Sequence, residues 1–110
     1  MTSESKPRVY LVGTGGSISF VGRTRTDYTN YSYDGKHLTI DELLGRVPEV
    51  LEFAEVRTEQ FLNLGSTDVT PDHWLGLAKR INQIFRDDPD AAGVAVTHGT
   101  ATLEETAYFL

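Results

Sequence analysis

Three short segments of this 110-residue chain concentrate glycine and side-chain hydroxyls: Gly13-Thr14-Gly15-Gly16-Ser17, Gly65-Ser66-Thr67-Asp68 and Thr97-His98-Gly99-Thr100-Ala101-Thr102. Glycine lets backbone come close to a ligand and leaves N–H groups directed at it. A hydroxyl becomes a nucleophile when a neighbouring group accepts its proton. Taken singly, each segment reads as turn chemistry. Thr14 and Ser17 can cap a turn, Ser66, Thr67 and Asp68 are turn formers ahead of a helix, and Thr102 stands where an N-cap belongs. A histidine such as His98 on an apolar strand end is more often a hydrogen-bonded core residue than a ligand. Taken together, at the ends of three strands, the segments point to one site that binds or attacks an oxygen-rich group. Other chemistries find no support. With no cysteine there is no disulfide, thiol nucleophile or cysteine zinc site. His37, His73 and His98 are too scattered for metal-ligand spacing. Gly13-x-Gly15-Gly16 lacks the third glycine of the dinucleotide fingerprint, and no phosphate-loop lysine follows, so a nucleotide site is not expected.

The elements that must position these segments can be read in order. Arg8-Val9-Tyr10-Leu11-Val12 is a short buried strand running into the first segment. From Ser19 to His37 the chain is polar and aperiodic, with Tyr28, Tyr31 and Tyr33 along it and Gly22 and Gly35 as turns. A loop of this length within a domain is expected to serve as a lid. Thr39-Ile40-Asp41-Glu42 has the form of a capping box and predicts a short helix to about Val47, stopping before Pro48. Val56 to Leu64 is a second strand. Thr70 and Pro71 open a helix whose Trp74, Leu77, Ala78, Ile81, Ile84 and Phe85 share one face, and Asp87-Asp88-Pro89-Asp90 ends it. Gly93-Val94-Ala95-Val96 is a third buried strand, and Thr102-Leu103-Glu104-Glu105 a second capping box. Strand and helix alternate three times, which predicts an α/β fold with a parallel sheet and helices on its faces. Ligands bind beyond the carboxyl ends of such sheets, where all three segments fall. Residues 1–7 are polar and expected to fray. Residues 8–110 are expected to form part of one α/β domain, because the last helix ends on apolar residues without a C-cap and three strands make a small core for a parallel sheet.

Composition bounds the partners. Sixteen acidic against ten basic residues give a formal charge of −6. That balance argues against nucleic acid and against an anionic membrane surface. No apolar run reaches transmembrane length, and the first residues lack the apolar stretch of a signal peptide, so a cytoplasmic location is expected.

Val12-Gly13-Thr14-Gly15-Gly16-Ser17-Ile18 resembles the Thr-Gly-Gly-Thr-Ile signature of the bacterial L-asparaginase and glutaminase family. The run from Val96 to Ala107 resembles that family's His-Gly-Thr-Asp-Thr-x-Glu-Glu-Thr-Ala signature, and Gly65-Ser66-Thr67-Asp68 stands where the family has a Gly-Ser-x-Asp loop. The resemblance runs from residue 8 onward and implies the N-terminal portion of a flavodoxin-like parallel-sheet domain. It implies an amidohydrolase that works through an acyl-enzyme without metal or organic cofactor, on a small-molecule amide, as a homodimer or homotetramer. It places Ser17 at the nucleophile, Tyr31 (with Tyr28 as the fallback) at the lid tyrosine, and Thr100 at the second threonine. Ser66 would hold the substrate carboxylate, with Thr14, Gly16, Thr67, Asp68, Gly99 and Ala101 lining the substrate site and N–H groups near Thr100 and Ala101 facing the oxyanion. Two departures stand out. Ala101 replaces the family's aspartate and Thr67 its glutamine, the two groups that hold a substrate α-ammonium. The resemblance also implies a later catalytic lysine and a neighbouring subunit's acidic group. The rival readings are a non-catalytic domain that binds a small carboxylate, and an asparaginase-like subunit of a transfer-RNA amidotransferase.

Overall fold

A computed structural model describes residues 5–31 and 35–110. Its elements in chain order are β1 (Arg8–Gly15), β2 (Phe20–Val21), β3 (Lys36–His37), α1 (Ile40–Leu44), β4 (Glu55–Leu64), α2 (Pro71–Asp87), β5 (Ala91–Thr97) and α3 (Leu103–Phe109). Strand β1 lies between β4 and β5 and is parallel to both. This is the expected α/β sheet.

Period-two alternation sends the two faces of β1 to different partners. Tyr10 and Val12 point to one side, where they form the core with Leu77 and Ile84 of α2. Gly13 points to the other, where a Cβ would come within 2.9 Å of both the Ile40 Cβ and the Gln60 side chain. Helix α1 can sit this close only because position 13 is glycine. The Gln60 side chain also accepts a hydrogen bond from the Ile40 N–H at 2.6 Å, tying the start of α1 to β4. Helices therefore cover both faces.

The helix starts show which caps form. At Thr39 the capping box is complete: the Glu42 N–H donates to the Thr39 hydroxyl, and the Thr39 N–H donates to the Glu42 carboxylate at 2.9 Å. At Thr70 it is completed by a residue the sequence rule does not name, because His73 Nδ1 accepts from the Thr70 N–H at 3.0 Å. At Thr102 no side-chain cap forms, contrary to the capping-box reading, because the hydroxyl donates to the Ser66 carbonyl at 2.7 Å instead. Helix α1 stops before Pro48 as expected but ends at Leu44, short of Val47, and a separate 3₁₀ turn follows over Pro48–Glu52. Phe85, placed on the buried face of α2 by its spacing, is 44% exposed; the face narrows to Leu77, Ile81 and Ile84.

The aperiodic stretch holds a short antiparallel pair, Phe20 opposite His37 and Val21 opposite Lys36. Residues 1–4 and Tyr33 lie outside the described residues. At the amino end of the sheet, Arg8 donates to both carboxylate oxygens of Asp88 at 2.9 Å and to Glu55.

Candidate active site

The carboxyl ends of all three parallel strands converge on two glycines. Gly15 and Gly16 have φ of +90° and +87°, a region that β-carbons disfavour, and this turns the chain sharply out of β1. A Cβ on Gly16 would lie 2.3 Å from the Gly99 backbone, and one on Gly99 would lie 2.7 Å from the Ser66 side chain. The loop after β1 thus touches the loop after β5, which touches the loop after β4. Hydrogen bonds hold the arrangement. The Gly16 N–H donates to the Leu64 carbonyl at 2.8 Å, and the Thr14 hydroxyl to the Thr97 carbonyl at 2.5 Å.

Around this junction opens a cleft of about 280 Å³. Ser17 enters it from the 3₁₀ turn Ser17–Ser19. Ser66, Thr67 and Asp68 enter from a second 3₁₀ turn, and Gly99, Thr100 and Ala101 from the loop after β5. Among the described lining residues Asp68 is the only carboxylate, and none is lysine or arginine. The arrangement therefore offers hydroxyls and backbone donors to a small polar molecule, with little fixed charge.

Three residues named from sequence stand elsewhere. Thr14 is buried beneath the site and serves as a strand-end tie. Gly16 supplies the backbone contact to Gly99 rather than a wall of the cleft. Tyr31 lines a neighbouring depression with Arg25, Asp27, Tyr28 and Arg46; Phe20 is the wall common to it and the cleft. Two lining residues escaped sequence reasoning. Phe20 and His37 stack with centroids 4.1 Å apart and form one side of the cleft. Only the β2–β3 pairing brings them together, and no local pattern announces that pairing. Among the described residues no group of three or more His, Asp or Glu side chains is placed to hold a metal ion.

The sequence model of the family described as "Asparaginase, N-terminal" matches residues 8–110. The chain belongs to the asparaginase family. L-asparaginase 2 of Bacillus subtilis (strain 168) is 43% identical over 110 residues, covering 98% of this chain and 28% of that protein. A glutamyl-tRNA(Gln) amidotransferase subunit of Thermofilum pendens is 40% identical over 107 residues, covering 94% and 22%. The crystal structure of a probable cytoplasmic L-asparaginase from Campylobacter jejuni superposes with a TM-score of 0.75 at 35% identity, over 94% of this chain and 27% of that one. This asparaginase-family chain thus spans about a quarter of the length of these relatives. None of its described helices is long and apolar enough to cross a membrane.

Proposed function

We propose that the protein is an asparaginase-like amidohydrolase that cleaves a small amide through an acyl-enzyme on Ser17 and releases ammonia. Residues 8–110 are read as part of its N-terminal α/β catalytic domain. The observation that carries this reading is the convergence of Ser17, Ser66 and the Gly99–Ala101 loop on one cleft in a chain of this family. The Ser17 oxygen attacks the amide carbonyl, and its proton leaves with the departing ammonia. Backbone N–H groups at Thr100 and Ala101 face the developing oxyanion, where preorganised donors are most effective. Water then attacks the acyl carbon, with the Thr100 hydroxyl positioning it, and the Ser17 hydroxyl is restored. Ser66 binds the substrate carboxylate. Tyr31 takes part when its segment closes across Phe20. The reading includes a homodimer or homotetramer, and a cytoplasmic location like that described for the Campylobacter relative; a Haemophilus influenzae relative is described as periplasmic.

Ser17→Ala in the full-length protein tests the nucleophile. Ammonia release is expected to fall by about a thousandfold or more with the fold intact. More than about a tenth of wild-type turnover remaining would reject the assignment. The second reading, an ammonia-supplying amidotransferase subunit, is favoured by the 40% identity to the Thermofilum protein. Stimulation of ammonia release by a transfer-RNA-binding partner would select it.

A further inference from the structure

His98 lies on the far side of Gly99 from the cleft. Its ring lines two small depressions behind the site, one shared with Trp74, Leu77 and Thr106, the other with Val96 and Leu103. Both ring nitrogens have partners. Nδ1 is 2.6 Å from the Gly99 carbonyl oxygen, and Nε2 is 2.9 Å from the Thr106 hydroxyl. Thr106 is 3% exposed, and its oxygen also accepts from the Trp74 indole N–H at 2.8 Å.

The chemistry of these partners fixes where the protons sit. A carbonyl oxygen only accepts, so Nδ1 carries the hydrogen. An indole N–H only donates, so Thr106 accepts from Trp74 and keeps its own hydrogen to give. In the neutral imidazole Nε2 is then the bare nitrogen, and Thr106 donates to it. The result is a directed chain: Trp74 N–H to Thr106, Thr106 O–H to His98 Nε2, and His98 Nδ1–H to the Gly99 carbonyl.

That carbonyl belongs to the peptide joining Gly99 to Thr100, which is trans. In a trans peptide the C=O and N–H point in opposite directions. Drawing the oxygen toward the imidazole turns the Thr100 N–H away from it, and Thr100 lines the cleft with Ser17. A glycine peptide left to itself has the widest choice of orientations. We propose that His98 is a positioning residue: held as the Nδ1–H tautomer by Thr106 and Trp74, it locks the Gly99–Thr100 peptide so that the Thr100 N–H faces the reacting carbonyl. The proposal rests on the amidohydrolase reading for what that N–H does, though not for the tautomer.

Two measurements on the full-length protein test it. With ring-¹⁵N histidine at neutral pH, His98 is expected to carry its proton on Nδ1 with Nε2 bare; a proton on Nε2 would overturn the proposal whether or not the protein hydrolyses amides. The second is kinetic. His98→Asn keeps an N–H near the Nδ1 position and gives up the link to Thr106. His98→Gln reaches toward Thr106 and leaves the Gly99 carbonyl without its donor. His98→Gln is expected to lower kcat by about a hundredfold, the scale of a small misplacement of a catalytic group, with KM changed less than about threefold. His98→Asn should recover at least about tenfold of that loss. Equal kcat losses in the two variants, in step with their loss of Tm, would overturn it. Absence of wild-type turnover would count against the amidohydrolase reading, and the tautomer would still decide the role of His98.

Discussion

Gly16 and Gly99 leave no room for a side chain, and this is where substitution should be felt most. Gly16→Ala and Gly99→Ala are each expected to destabilise by about 2 kcal/mol or more, from overpacking and, at Gly16, from positive φ. Gly65 is the matched control: nothing lies within 4 Å of its Cβ position, and Gly65→Ala should change stability by less than about 0.5 kcal/mol. Urea midpoints compare the three, and an equal response at Gly65 would remove the distinction. On the amidohydrolase reading, substrate choice also falls to single residues. Thr67 and Ala101 line the cleft where the family resemblance places the groups that hold an α-ammonium. An ammonium buried without its carboxylate costs on the order of several kcal/mol. Succinamate, which differs from L-asparagine only by that amine, is therefore expected to have the higher kcat/KM, and Ala101→Asp with Thr67→Gln to move preference back. A tenfold preference of the unmodified enzyme for L-asparagine would sink the idea. At this scale the sequence was informative where a hydroxyl follows glycine at a strand end, as for Ser17, Ser66 and Thr100, which the structure brings to one cleft. Phe20 and His37 were illegible because an aromatic in a polar loop says nothing of what it will stack on. His98 was legible only as a hydrogen-bonded core histidine, since Thr106 and, behind it, Trp74 are brought in from two separate helices.

Helix caps are the elements' most local statements, and they divide instructively. Thr39→Ala removes a complete capping box and is expected to cost about 1 kcal/mol, read as a shift in Tm. Thr102→Ala removes no cap bond. It frees the Ser66 loop, so it should raise KM more than it lowers Tm, and the reverse order would show that the hydroxyl matters mainly to α3. Capping by Thr39 follows from local spacing, and so was readable; Thr102 fits the same pattern, but a carbonyl brought in from another loop competes for its hydroxyl. The β2–β3 pair was unreadable for a related reason. Two residues per strand carry too little alternation to register against a polar background. Tyr31→Phe tests the segment between those strands. It keeps the packing in the depression beside Phe20 and is expected to lower kcat more than it raises KM; unchanged activity would pass the role to Tyr28 or end it.

For the molecule as a whole, the three parallel strands and their cover were readable because β1 and β5 carry continuous apolar runs, β4 a partial alternation and α2 an apolar face. Acid sensitivity follows from charges outside the site. The hydrogen bond from Arg80 holds the Glu59 carboxyl below its ordinary value of 4.5, and those from Arg8 and then Tyr10 hold Asp88 below 3.8. Both groups bind protons less readily folded than unfolded. Their contribution is therefore complete above the unfolded values and is lost as pH falls through the lower folded ones. Denaturation midpoints should be flat near neutrality and decline below about pH 4.5. Arg80→Met should lower the midpoint at pH 7 and converge on wild type in acid; a constant difference at all pH values would show that Arg80 acts through packing. The 110 residues alone are expected to release no ammonia, since the reading assigns a lysine and an acidic group to sequence beyond them. Release by the purified chain, against a Ser17→Ala control, would contradict this.

The position of β1 between β4 and β5 sets a timetable. Arg8 is in register with Glu55 on one side and Ala91 on the other, so the strand made first is flanked by strands made much later. Such non-local pairings close large loops before any contact rewards them, which makes folding slow. On a growing chain the Ser17 loop emerges early, yet the backbone it rests on at Gly99 follows more than eighty residues later. Ser17 therefore waits, uncovered and unaligned, until that stretch has been made. The cleft around Ser17 takes shape only when β5 pairs with β1 and brings Gly99 against Gly16.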